Sequence, residues 1–424
     1  MTSTTRFALT AAFVVGHIVA SAASQEPATA ARPARPSEIA PGDPLFAETS
    51  TLRELAVRRP VKSVYMSREE IERFAIRKFD EQTTADQGRA TELTLKVLGL
   101  VPRDFAFRPF FAALMREQVA GAYDPVAQQM VLPDWVPLGA QAAVLVHELT
   151  HALQDQHFDL GRLERWQKGD SDAQLAAHAL AEGDAMLTMV GYLTQHPDAA
   201  LTLLQSAAAM ADSPVLNGAP AALRETLSFP YEYGMKFAAA LHASAGLKGI
   251  SAAYERLPLS TEQVMHPAKY TAYERPLPVQ LPDLAPRLGS GWRRLDADVH
   301  GEWGEFQILK AFLPAGEQAA KAAEGWGGDR YAIYAGPRDG DAVLVQVSAW
   351  DGEADAVEFF EAYVARTGAR YAAPSKPSAG GADGSQRRRW STAGGEVLVE
   401  RLGTRVIILE GPGGTDVDAL MRAF

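Results

Sequence analysis

The chain has 424 residues, no cysteine and a formal net charge of −11. A chain of this length can bury a sizeable core and is long enough for two domains. The acidic balance excludes a nucleic-acid-binding face, which needs concentrated Lys and Arg, and the absence of cysteine excludes disulfides, thiolate catalysis and sulfur-ligated metal, leaving His and carboxylates as the only ligands for a transition metal.

Residues 1–24 read as a secretory signal peptide: Arg6, an apolar stretch from Phe7 to Ala20, then small residues up to Ser24. They predict an exported protein, secreted or periplasmic, with no membrane span left after cleavage. Residues 25–44, rich in Ala, Pro and Arg and without hydrophobic periodicity, predict a disordered linker. Ser67 and Glu70 form a capping-box pattern that opens a helix bearing Ile71, Phe74, Ala75, Lys78 and Phe79, and further helices are expected over 88–98 and 109–118. Two short antiparallel strands, Gly121-Ala122-Tyr123 and Gln129-Met130-Val131, flank a turn at Asp124-Pro125. Helices then follow over 139–156, 172–195 and 231–245.

The proline-punctuated stretch from Leu277 to Pro286 marks a boundary, dividing a domain over 45–290 from one over 291–424. In the second, helices (305–313, 354–366, 417–424) alternate with strands (330–334, 342–349, 396–402, 404–409). Arg387-Arg388-Arg389, in a Gly/Ser-rich setting, reads as a solvated loop end. Glu324 to Arg330 reads as a Gly-rich turn anchored by Trp326, since it lacks the Lys-Ser/Thr of a phosphate loop and opens a strand rather than a helix. The expected fold class is α+β: a mainly helical domain with a small edge-strand sheet, plus a C-terminal α+β accessory domain.

The segment that carries chemistry is His147-Glu148-Leu149-Thr150-His151, within the 139–156 helix. One turn apart, the two imidazoles project from one face and can grip a single ion. Glu148 beside them is placed to act as the base for an attacking water. The flanks, Ala142 to Val146 and Ala152-Leu153, are apolar, so the helix is buried and its polar trio needs a partner.

Catalytic zinc takes three protein ligands and leaves one position open. His157, six residues after His151, has the spacing of the H-E-x-x-H-x-x-G-x-x-H pattern, but Gln154 stands where that pattern needs glycine. On an unbroken helix His157 points about 100° away and about 9 Å further along the axis. Glu182, on the next long helix, competes with it, and His178 one turn earlier is the residual candidate. Asp155 and Asp184 are candidates to orient a ligand imidazole. Tyr231, Tyr233 and His266 are candidates to donate a hydrogen bond to a developing oxyanion.

Gly-x-Tyr-Asp-Pro from Gly121, His-Glu-Leu-Thr-His-Ala-Leu-Gln-Asp-Gln-His-Phe from His147 and Glu-Gly-Asp-Ala from Glu182 together resemble a group of secreted prokaryotic zinc metallopeptidases of the gluzincin type, over about 119–270. The resemblance implies zinc on His147, His151 and Glu182, with Glu148 as general base in hydrolysis of peptide bonds. It also implies an edge strand that binds substrate by strand addition, against the alternative of a purely structural hairpin. The Glu-Gly-x-Ala run is similar to the one carrying the third ligand in the aminopeptidase-N-like branch. Glu182 follows His151 at a longer interval than in that branch, and residues 159–170 read as the inserted loop that makes the difference. Two other functions accommodate the same motif: a catalytically silent zinc-binding envelope protein, and a zinc amidase acting on cell-wall material.

Overall fold

The computed structural model describes residues 37–118, 121–135, 141–165, 167, 169–210, 213–378, 384–392 and 394–424. The expected signal peptide and residues 25–36 of the expected linker lie outside these. The end of that linker is ordered rather than free: β1 (Glu38–Ile39) pairs antiparallel with β2 (Val61–Met66). Between them, α1 (Pro44–Arg53) starts on Pro44, with the Asp43 carboxylate accepting from the Leu45 and Phe46 N–H groups.

The capping box at Ser67 and Glu70 opens α2 (Arg68–Gln82) as expected. A second one, Thr84 with Gln87, opens α3 (Ala85–Leu98), and α4 (Phe107–Gln118) follows. The two anticipated strands, β3 (Ala122–Asp124) and β4 (Gln129–Pro133), pair antiparallel, and β4 pairs parallel with β2. The sheet order is β1-β2-β4-β3, which leaves β3 at an edge.

Three long helices build the centre of this half: α5 (Ala142–Phe158), α6 (Ser171–Gln195) and α8 (Ala221–Glu255), with α7 (Pro197–Met210) between the last two. Every residue of α5 from Ala143 to Gln156 is buried, so its whole circumference is covered and its polar residues need internal partners. Within α8 lies Pro230, and the helical path breaks at Ala245 and Gly246, where Gly246 takes φ 64.

The contact between α6 and α8 depends on two glycines. A Cβ on Gly183 would lie 2.0 Å from the Gly234 carbonyl oxygen, and one on Gly234 would lie 2.1 Å from the Ala179 carbonyl oxygen. Only hydrogen fits at either place, so the helix backbones touch there. Gly183→Ala meets backbone that cannot rotate aside. It is expected to part the helices and cost about 1–3 kcal/mol or more, read as a lowered midpoint in urea or thermal unfolding. An unchanged midpoint would show that the helices do not meet this closely.

Beyond α9 (Thr261–Met265) and α10 (Pro267–Ala272) comes an antiparallel sheet of seven strands: β5 (Arg293–Asp298), β6 (Trp326–Ala335), β7 (Ala342–Trp350), β8 (Lys376–Pro377), β9 (Gln386–Thr392), β10 (Gly395–Leu402) and β11 (Arg405–Gly411). Their order is β5-β6-β7-β11-β10-β9-β8. One face packs on α11 (Gly301–Lys310), α12 (Gly316–Ala323) and α13 (Glu353–Tyr371), through Ile308, Ala319, Phe359, Phe360 and Tyr363, and on Leu93 and Leu98 of α3. The other is covered by α14 (Val417–Met421), through Val417, Leu420 and Met421. The architecture is α+β. Among the described residues no helix is long and apolar enough to cross a membrane.

Two local expectations are corrected. Arg387 to Arg389 form part of β9, not a solvated loop end. Arg387 is buried and lies opposite Glu400, whose Oε2 accepts from its Nη2 at 2.5 Å, while Arg389 pairs with Glu396 and Asp418. The sign of the partner strand turns a basic run into a cross-strand ion-pair ladder. In the Gly-rich segment, Gly325 makes the turn at φ 82, but Trp326, Gly327 and Gly328 already belong to β6. The Trp326 indole donates to Asp329, as an anchoring Trp would.

Candidate metal centre

On α5, His147 and His151 stand with their rings 4.7 Å apart between centroids and at 82°. Their Nε2 atoms are 3.1 Å apart. The Glu182 carboxylate, from α6, reaches both: its Oε2 lies 3.1 Å from His147 Nε2 and 3.4 Å from His151 Nε2. One ligand atom from each residue lies within 4.8 Å of the others, and all three residues are buried.

The buried groups of this cluster shift one another's proton affinity. Burial pushes Glu182 toward neutrality, but His151 and His147 outweigh it and hold the carboxyl well below its usual range. Burial likewise lowers His147. It also opposes charge on His151, yet the Glu182 and Glu148 carboxylates bring that imidazole up to about 9.

The donor set fits zinc: two imidazole nitrogens and one carboxylate oxygen. The tautomer is also fixed. His151 Nδ1 donates to Gln154 Oε1 at 2.9 Å, which directs Nε2 at the cluster. Gln154 is clamped in turn, its Nε2 donating to the Ala181 carbonyl at 3.0 Å and to Asp184 Oδ2 at 2.9 Å. Asp184 accepts from the Tyr254 hydroxyl at 3.0 Å and lies 2.5 Å from Nε of Arg53, both side chains being fully buried. Asp184, expected to orient an imidazole directly, does so one step removed, through Gln154.

Glu148 is buried beside the cluster. Burial raises its carboxyl to about 8, with His151 opposing, Glu182 adding and the nearby Tyr123 backbone amide opposing. Edge strand β3 therefore lies against the base. All three of its residues are buried, and a Cβ on Gly121 just before it would lie 3.8 Å from Glu148 Cγ.

Of the oxyanion candidates the structure brings Tyr231 to the cluster. Its ring lies 6.4 Å from that of His147. Burial raises its hydroxyl well above the usual value, followed by the charges of Glu182 and Glu148, and the hydroxyl shares a hydrogen bond with Glu182. The glycine contact between α6 and α8 sets this meeting. Tyr233 points elsewhere, into an aromatic cluster with Phe229 and Trp303.

His266 is not brought to the cluster. Its Nε2 is 2.8 Å from Glu302 Oε1, and the carboxylates acting on it are Glu302, Glu262 and Glu324. Pro267 starts α10 directly after it, and the buried Glu302 of α11 holds the imidazole at the seam with the sheet unit. His157 also leaves the cluster, its Nε2 donating to the Ala56 carbonyl at 2.8 Å. His178 lies one turn before Glu182 and donates from Nδ1 to the Gln174 carbonyl, and burial lowers it to about 4. Asp155 accepts from the Tyr123 hydroxyl, from Arg59 and from the Leu160 N–H, tying β3 and the β2 approach to the end of α5.

A family described as a domain of unknown function, DUF8575, matches residues 288–421. No curated protein and no solved structure matches the chain. The matched region covers the seven-stranded sheet and contributes no residue to the three-ligand cluster. The centre therefore stands on its own geometry.

Sequence reasoning missed Gln154, Arg53 and Tyr254 as supports of the centre. Gln154 carried a signal: a polar residue one turn from a ligand His, on a helix with apolar flanks. Arg53 and Tyr254 carried none, because they reach Asp184 from distant parts of the chain.

Proposed function

We propose that the protein is an exported zinc-dependent metallopeptidase that hydrolyses peptide bonds. The observation that carries this reading is the convergence of His147, His151 and Glu182 within 4.8 Å in a buried site, with Glu148 beside it. Two imidazoles and a carboxylate leave one position of a tetrahedral ion open, as catalytic zinc requires. When bound, zinc supplies Lewis acidity, polarising a carbonyl and acidifying water.

The chain's own groups supply the rest. Glu148 takes a proton from the attacking water and passes it to the departing amine, a role suited to a carboxyl whose proton affinity burial has raised. The Tyr231 hydroxyl donates to the oxygen on which charge develops. Gln154 holds His151 in the ligating tautomer. Export rests on the sequence of residues 1–24.

Metal analysis tests the ligand set. Wild-type protein is expected to hold roughly one zinc per chain, Glu182→Ala to lose it through dialysis, and His157→Ala to keep it. Zinc retained in Glu182→Ala and lost in His157→Ala would overturn the assignment, and a wild type that takes up no zinc would overturn the function.

A further inference from the structure

Where α4, α6 and α8 meet the sheet unit lies a cavity of ≈ 230 Å³. Protein interiors leave few voids larger than a water molecule, and a cavity of about 150 Å³ already accommodates benzene.

Its walls are mainly apolar and strongly aromatic: Phe107, Phe110 and Phe111 from α4, Leu227 from α8, and Trp303 and Tyr331 from the sheet unit. Flat rings suit such walls through offset and edge contacts.

The polar features narrow the ligand further. His300 lines the cavity with its ring stacked on Tyr331, centroids 3.9 Å apart and planes 6° apart, so the imidazole is held in one plane. Its Nε2 is buried with no hydrogen-bond partner. Burial lowers this imidazole to about 3, so it is neutral and meets a ligand with a hydrogen bond rather than a charge. Asp296 and Asp298 also line the space. Carboxylates at that margin repel an anionic head group.

We propose that this cavity binds an uncharged, flat aromatic molecule of about two fused rings carrying one hydroxyl, with the hydroxyl hydrogen-bonded to His300 Nε2 and the rings among the α4 phenyls. The sheet unit then has a role in the site, because His300, Trp303 and Tyr331 all come from it. None of His147, Glu148, His151 and Glu182 lines the cavity, so the inference does not rest on the zinc reading.

The test uses the full chain titrated with naphthol, naphthalene and naphthoate, followed by ligand fluorescence or calorimetry. Naphthol is expected to saturate a single site, naphthalene to bind about tenfold more weakly for want of the hydrogen bond, and naphthoate more weakly than either. His300→Phe keeps the stack on Tyr331 and is expected to bring naphthol down to the affinity of naphthalene. Ala222→Phe places a ring in the cavity and is expected to abolish binding of all three. If that variant fails to fold, the His300→Phe comparison decides. Naphthol binding no more tightly than naphthalene, naphthoate binding as well as naphthol, or undiminished binding in folded Ala222→Phe would each overturn the proposal.

Discussion

Glu148→Gln is expected to lose peptide hydrolysis while keeping its metal. The amide has the shape of the carboxylate, and it leaves the three converging donors untouched. What it lacks is the capacity to take a proton from water. A positioned general base contributes about 10²–10⁴-fold to rate, so kcat on a peptide library should fall by at least that range, with zinc content equal to that of the wild type. The pairing of the two measurements gives the experiment its force. Full zinc with an undiminished rate would remove Glu148 from the chemistry, and loss of both would make it a structural residue. A wild type inactive on every peptide yet active on a cell-wall amide would keep the metal centre and change the substrate.

The contrast between what was and was not legible in the sequence follows the range of the interactions. His147, Glu148 and His151 were readable because a helix places residues four apart on one face whatever surrounds it. Glu182 was readable as an acidic residue on a second buried helix. The structure adds why it is held there: Gly183 next to it lets α8 touch α6. The β3–β4 pair was also local. Errors came where a partner far along the chain decides the outcome. Arg387 reads as solvated until Glu400 is placed opposite it. Pro230 suggests a helix start at Tyr231, yet α8 runs through it from Ala221. One missing N–H is tolerable in a helix that is packed on both sides of the break. His266 looked poised for catalysis because a proline fixes it, and only the position of Glu302 shows where it points.

Arg53→Met is expected to damage both stability and metal binding, although Arg53 sits on the first helix, far in sequence from any ligand. Its guanidinium Nε lies 2.5 Å from Asp184 Oδ1 with both side chains at 0% exposure, so the substitution strands a buried carboxylate. Removing one partner of a buried pair costs about 3–5 kcal/mol, measurable as a shift of the urea midpoint. The same carboxylate clamps Gln154, which fixes His151, and loss of such an outer support lowers metal affinity about 10–100-fold. Competition with a chromophoric chelator would read that loss. The double variant Arg53→Met with Asp184→Asn separates the two effects: it removes the stranded charge, so stability should recover in part. Zinc affinity should recover only as far as the amide oxygen introduced by Asp184→Asn still holds Gln154. This dependence also makes α1 part of the folded centre, since β1 and Arg53 tie it to β2 and to α6. An Arg53→Met protein with wild-type midpoint and wild-type zinc affinity would mean that Arg53 and Asp184 do not act as a pair, and that α1 merely packs over the centre.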